Sequence, residues 1–209
     1  MTNVTGVRPI RVLLVDDHPA LREGTVELMA HEPDLEVVGS VGTLAEARAA
    51  SSASHVDVIV LDIRLQGERG LDLLSEAQAQ PDAPAIVIWT AYDLPQYVSY
   101  AFRRGASGFV LKTAPTRELI DAVRDAAAGG VRFGTRPDLR APSLTPREHA
   151  LLTNLVAGLS NDEIADSMGV ITRTVEAHLT RLYERFDARS RTELAARVVR
   201  EGWLDVPPT

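Results

Sequence analysis

At 209 residues the chain is long enough for one large domain or two small ones, and 45% hydrophobic with 24% charged residues fills ordinary cores and argues against disorder. No apolar run approaches the roughly 18 residues of a spanning helix, and the N-terminus lacks a basic-then-apolar leader, so a cytoplasmic protein with no membrane contact is expected. The absence of cysteine excludes disulfides and thiolate metal sites, and the net charge of −7 lies wholly in residues 1–130, which hold 11 basic and 18 acidic residues against 11 of each in 131–209.

Through the first 130 residues, short β-branched runs at 10–15, 35–41, 56–63, 85–90 and 108–111 read as strands, each too brief and too apolar for a surface helix. Between them helical patterns cover 19–31, 43–54, 70–80, 94–104 and 115–128, the second opened by the capping box Thr43-x-x-Glu46. Five such β-α units imply an α/β domain over 1–130, a five-stranded parallel, doubly wound sheet with helices on both faces. Gly129-Gly130 ends the fifth helix, and 131–143, with Gly134, Pro137 and Pro142 and no hydrophobic periodicity, reads as a linker. Strand signals then vanish. Helical segments at 146–157, 161–168, 172–186 and 191–202 make a second, smaller, all-α four-helix domain over 144–209, with box signatures at Thr145/Glu148, Ser160/Glu163 and Ser190/Glu193.

Ligands of an open parallel sheet bind beyond the carboxyl ends of its strands. The first strand is followed by Asp16-Asp17, the third ends in Asp62, the fourth in Thr90, and the fifth is followed by Lys112. Three carboxylates on one rim repel one another unless a hard divalent cation sits among them, and oxygen-only ligands suit magnesium. Such an ion shields an incoming phosphoryl group from an anionic nucleophile, and a lysine neutralises another phosphoryl oxygen, which makes Asp62 the candidate phosphoryl acceptor. Lys112 is the only lysine in a chain whose other basic residues are arginines, as expected where a compact ammonium is required.

This constellation resembles the receiver domain of response regulators across the whole first domain. The resemblance implies a flavodoxin-like fold in which Asp16, Asp17, Asp62 and the backbone carbonyl of Arg64 hold magnesium. Asp62 would take phosphate from a sensor histidine kinase and slowly hydrolyse its own aspartyl phosphate, with no separate substrate. Thr90 and Phe109 stand at the family's switch positions, where the hydroxyl moves toward the phosphoryl group and the ring follows inward. Gln66 departs from the pattern, which usually has proline there, and with Gly67 and Gly70 it suggests a looser loop.

In the second domain, a short helix from Asn161 to Met168, a turn at Gly169 and a longer helix from Thr172 have the dimensions of a helix-turn-helix. Residues 171–200 carry seven arginines against four acids, a modest footprint for nucleic acid. Val175, Leu179 and Leu182 recur at helical spacing and should face the core. Arg173, Arg181 and Arg185 are then candidate phosphate contacts, and Thr174, Glu176, Ala177 and Thr180 lie where a helix entering the major groove meets the duplex. The segments Leu144-Thr-Pro-Arg-Glu148, Gly158 to Ala165 and Thr174 to Leu179 resemble the DNA-binding domain of the LuxR/FixJ/NarL group. Glu176 and Thr180 depart from its usual basic residues, and Ile171 from its serine cap, a loss expected to cost about 0.5–2 kcal/mol unless Thr172 takes over. His18, His31, His55 and His149 show no metal-ligand spacing, and structural roles are expected for them.

Together these resemblances imply a regulator in which phosphorylation of Asp62 favours a homodimer that binds double-stranded DNA and alters transcription. A haloacid-dehalogenase-type phosphatase also uses an aspartyl nucleophile at a strand end, but it needs a second Asp two residues on, where Arg64 stands. A regulator or interaction module that kept the fold without phosphorylation is the other alternative.

Overall fold

In the computed structural model, which describes residues 8–77, 83–134, 137 and 143–208, the chain forms two compact units whose main boundary follows Pro137. The first unit runs β1 (Ile10–Val15), α1 (Pro19–Ala30), β2 (Leu35–Val41), α2 (Leu44–Ala53) and β3 (Val58–Leu61). It continues with β4 (Arg64–Leu65), β5 (Glu68–Arg69), α3 (Leu71–Ala77), β6 (Ala85–Thr90), α4 (Pro95–Arg103), β7 (Gly108–Leu111), α5 (Thr116–Ala127) and β8 (Arg132–Phe133). Six strands pair in parallel in the order β2-β1-β3-β6-β7-β8.

Burial on both faces explains why these strands are nearly continuous runs of Val, Ile and Leu rather than alternating ones. On one face Val12, Leu14, Val58, Val60, Val87 and Trp89 pack with Met29 of α1 and with Leu119, Ile120 and Val123 of α5. The intervening residues, Leu13, Ile59, Leu61, Ile86 and Ile88, are buried on the other face, where Leu13 and Ala50 of α2 both border Gly39. The chain leaves β1 toward β2 and returns past it to β3, so the crevice of the doubly wound sheet opens between β1 and β3.

The expected five-stranded sheet is present, with two additions. The third strand is shorter than the expected 56–63, and the chain beyond it folds into an antiparallel hairpin, Arg64 opposite Arg69 and Leu65 opposite Glu68. Its two-residue turn puts Gln66 at φ +29° and Gly67 at φ +87°, the pairing of positive angles whose twist matches that of the flanking strands. The loop is therefore a closed hairpin and not the looser segment expected from losing proline. Gly70 closes its far end, since a Cβ there would lie 1.9 Å from the Asp62 carbonyl oxygen.

The second addition is β8, in the stretch expected as linker. Arg132 and Phe133 extend the sheet beside Gly108 and Phe109. Two residues are too few to show a periodicity, which is why sequence patterning passes over them. The remaining expected linker residues at 135–136 and 138–142, and the expected end of the third helix at 78–80, lie outside the described residues.

The second unit contains α6 (Pro146–Val156), α7 (Asn161–Met168), α8 (Thr172–Arg185) and α9 (Arg191–Arg200). Leu151, Leu152, Leu155, Ile164, Val175, Leu179, Leu182, Leu194 and Val198 form its core, with Phe186 and Trp203 in ring contact at 4.2 Å. Thr145/Glu148 and Ser160/Glu163 make complete capping boxes at α6 and α7. At α2 and α9 only the hydroxyl half forms, and the glutamates reach one residue further back, Glu46 to the N–H of Gly42 and Glu193 to that of Arg189. Gly169 ends α7 at φ +65° and turns the chain into α8, the dimensions of a helix-turn-helix. Among the described residues no helix is long and apolar enough to cross a membrane.

The N-terminus of α8 is uncapped. Ile171 occupies the capping position without a side-chain bond, and the Thr172 hydroxyl donates to Asp162 Oδ1 at 2.6 Å instead of substituting for it. Ile171 is 70% exposed, so replacing it removes no core contact. The substitution Ile171→Ser is expected to stabilise this unit by about 0.5–2 kcal/mol, measured as a shift in the denaturation midpoint; an unchanged or lowered midpoint refutes the capping argument.

Candidate functional site

Beyond the ends of β1, β3 and β7 the sheet ladder continues for one more residue each. Asp16 N–H donates to Val41 O, Asp62 N–H to Val15 O and Lys112 N–H to Thr90 O, at 3.0, 2.9 and 2.7 Å. The backbones of Asp16, Asp62 and Lys112 are thus fixed by the sheet, and their side chains converge at its switch point. Asp16 and Asp62 are buried, at 0% and 3% exposure, and Lys112 Nζ lies 2.7 Å from Asp16 Oδ2 and 2.5 Å from Asp62 Oδ2. The Lys112 ammonium also sits 5.2 Å from the centroid of the Trp89 ring.

Asp17 reaches the same place from the start of the β1–α1 connection. Its Oδ2 accepts the N–H of Gln66 at 2.9 Å, so the β4–β5 hairpin ties one carboxylate oxygen, and its Oδ1 lies 2.7 Å from His18 Nδ1. His18 Nδ1 is also 3.3 Å from Asp16 Oδ1, the atom that accepts the His18 N–H. Sequence reading gave His18 a structural role, yet the fold sets its ring against two carboxylates. Its adjacency to Asp16-Asp17 was the available signal. Three other histidines make ordinary contacts, His31 with Glu27 O, His55 with Asp57 and His149 with Leu204 O.

Thr90 is buried at the end of β6, with its Oγ1 accepting the N–H of Tyr92 at 3.3 Å. The Arg64 guanidinium lies 4.6 Å from the Tyr92 ring centroid across the mouth of the pocket. Phe109 is buried in β7, two residues before Leu111, the partner of Thr90. The pocket bounded by Asp17, Asp62, Gln66, Tyr92 and Lys112 has a volume of about 480 Å³.

One cation shared by buried carboxylates leaves the charge unbalanced. Burial pushes the Asp62 carboxyl above its ordinary pKa against the pull of Lys112, and the neighbouring Asp16 charge adds to the rise. A simple ion pair would lower the acid. Here Lys112 divides itself between two acids, and although burial disfavours its charge, its bonds to Asp16 and Asp62 raise its pKa. One ligand atom from each of Asp16, Asp17, His18 and Asp62 falls within a mutual 4.8 Å. Three clustered carboxylates with one ammonium among them fit a hard divalent cation such as magnesium.

On the second unit, Val175, Leu179 and Leu182 of α8 are buried as their spacing predicts. Arg173, Glu176, Ala177, Thr180, Arg181 and Arg185 are exposed and Thr174 is half-buried. The arginines divide into two groups. Arg185 donates to Glu148 Oε1 and to Ser143 O, both at 2.8 Å. Arg191 holds Asn161 and Leu159 O, and Arg197 holds Glu201 and Phe186 O. The side chains of Arg173, Arg181 and Arg189 make no hydrogen bond or ion pair among the described residues. Thr180 turns its hydroxyl back to the carbonyl of Glu176 at 3.0 Å, leaving its methyl as the outward group.

Residues 12–124 match the family model described as response regulator receiver domain, and residues 142–198 match that of bacterial regulatory proteins, luxR family. Over 201 residues the chain is 35% identical to the DNA-binding transcriptional activator DevR/DosR of Mycobacterium tuberculosis, covering 89% of this chain and 92% of that protein. It is 35% identical over 201 residues to the transcriptional regulatory protein UhpA of Escherichia coli, covering 93% and 100%. A solved LuxR-family two-component response regulator from Aurantimonas sp. SI85-9A1 superposes with a TM-score of 0.56 at 31% identity, covering 59% of this chain and 89% of that one.

The unbalanced rim makes a direct prediction. At about ten times its dissociation constant, magnesium should stabilise the first unit by about 1.4 kcal/mol, raising its melting temperature by about 5 °C. Asp17→Asn should shrink that rise, and a melting temperature indifferent to magnesium contradicts the charge argument.

Proposed function

The chain belongs to the two-component response regulators that join a receiver domain to a LuxR-type DNA-binding domain and regulate transcription, and we propose that it works through phosphorylation of Asp62. The observation that carries this reading is the convergence of Asp16, Asp17, Asp62 and Lys112 at the switch point of the sheet. Lys112 occupies Asp62 Oδ2, whereas the nearest backbone donor to Oδ1 is the Arg64 N–H at 3.5 Å, so Oδ1 is the freer oxygen for attack. It forms a bond to phosphorus as the bond from phosphorus to the imidazole nitrogen of a sensor histidine kinase breaks, and the imidazole leaves with the bonding pair. Asp16, Asp17, Asp62 and the Arg64 backbone carbonyl would hold magnesium, which offsets charge on the phosphoryl oxygens. Lys112 neutralises a further oxygen once Asp62 is esterified.

Thr90 and Phe109 carry the signal outward. The Thr90 hydroxyl, whose oxygen accepts the Tyr92 N–H in the unphosphorylated arrangement, moves to donate its proton to a phosphoryl oxygen, and the Phe109 ring follows within β7. A repacked receiver surface then favours a homodimer that sets two α8 helices on half-sites about one helical turn apart. Arg173 and Arg181, exposed and internally unpaired, contact phosphates, while Thr174, Glu176, Ala177 and Thr180 face base edges or the groove wall. A glutamate in the groove accepts from cytosine N4 at some cost in affinity. The Arg185 guanidinium must share itself between Glu148 and any phosphate.

Two measurements test this reading. Asp62→Asn should abolish labelling by acetyl phosphate or by the cognate kinase in the presence of magnesium; full stoichiometric labelling of that variant sinks the assignment. On operator DNA, Arg173→Ala and Arg181→Ala should each weaken binding and reduce the slope of log K against log salt by about 1. An unchanged slope in both variants removes these residues from the interface.

A further inference from the structure

The segment that leaves α5 docks back onto the receiver sheet, and its partner there is the strand that carries Phe109. Arg132 pairs with Gly108 and Phe133 with Phe109. Gly108 makes room for the close approach, since a Cβ there would lie 3.2 Å from Arg132 O. The backbone holds this strand weakly. Arg132 N–H donates to Ser107 O at 2.8 Å, but the next bond, from Gly134 N–H to Phe109 O, is stretched to 3.5 Å. The Arg132–Asp125 ion pair at 2.6 Å is exposed on both sides and contributes little.

Side-chain rings supply the rest. The Phe133 ring lies nearly parallel to Phe109, with centroids 6.3 Å apart and an interplanar angle of 21°. It meets Phe102 of α4 edge-on at 5.4 Å and 80°. A two-residue strand has too few backbone bonds to persist by itself, so its docking depends on where the Phe109 ring stands.

We propose that Phe133 is a positioning residue for the Phe109 ring, through which docking of the Arg132–Phe133 strand and phosphorylation of Asp62 oppose one another. The inference rests on the reading that Phe109 moves when Thr90 engages the phosphoryl group. Movement of the ring takes away one of the two aromatic faces that Phe133 touches, and β8 loosens. Linkage makes the effect reciprocal: loosening β8 by other means favours the phosphorylated arrangement by the same factor. The start of the connection to the DNA-binding unit thereby registers the state of Asp62.

The test uses the full chain with magnesium and beryllofluoride as the aspartyl-phosphate mimic. Hydrogen exchange in peptides covering 131–134 should quicken when the mimic saturates wild type. The beryllofluoride concentration for half-saturation, followed by the fluorescence of Trp89 beside Lys112, should fall about three- to tenfold in Phe133→Ala. Phe133→Tyr, which keeps the ring, should retain the wild-type value. Saturation of wild type with unchanged exchange at 131–134, or equal half-saturation in Phe133→Ala, overturns this inference and leaves the proposed function standing. Failure of wild type to bind the mimic overturns both.

Discussion

One ammonium facing three carboxylates is the constraint from which the receiver unit follows. The sheet ladder fixes Asp16, Asp62 and Lys112 beyond the strand ends, so these charges cannot spread apart to relieve repulsion. Burial then raises the pKa of Asp62 even with Lys112 in contact. Clustered carboxylates with a single ammonium among them are a donor set suited to a hard divalent cation. Most of the unit serves to hold the rim in place. α1 and α5 clamp one face of the sheet, and Arg124 of α5 ties Glu32 and Asp34 at 2.6 and 2.7 Å, joining the α1–β2 turn to the opposite end of the chain's first unit.

The DNA-binding unit uses charge differently. Its arginines look like a single basic field in sequence, yet Arg185, Arg191 and Arg197 join helix ends and loops within the unit. The Glu148 that completes the α6 capping box also receives Arg185, and despite burial the donors from Thr145 and Arg185 hold its carboxyl below the usual range. Arg173, Arg181 and Arg189 then form a sparse outward set. A sparse set of cations contributes little nonspecific attraction to a polyanion.

The main elements were legible because their signals are redundant. β1, β2, β6 and β7 fall at the expected residues because buried parallel strands leave short, unbroken apolar runs, and helix starts are marked by Thr43, Thr145, Ser160 and Ser190. The acidic rim was legible because order along the strands plus the one lysine fixes which side chains meet. What escaped is short or conditional. β4, β5 and β8 are two residues each, below any period, and depend on partners far along the chain. The role of Arg185 escaped because pairing with Glu148, 37 residues away, is a property of helix packing and leaves no trace in local spacing.

The hairpin at Gln66 restricts which residues its turn can accept. Proline, the family's usual residue there, has no N–H and a φ locked near −65°, whereas Gln66 donates its N–H to Asp17 and sits at φ +29°. A proline placed at position 66 would lose the bond to Asp17 and meet a φ it cannot adopt, so the present hairpin and a proline-bearing loop follow different backbone paths. Leu65, Gln66, Gly67 and Glu68, whose carboxylate also accepts the N–H of Leu44 at the start of α2, are joined in one hairpin tied to both the acidic rim and α2. Chimeras among relatives should exchange it whole, because a lone residue moved across that boundary arrives in a backbone built for another.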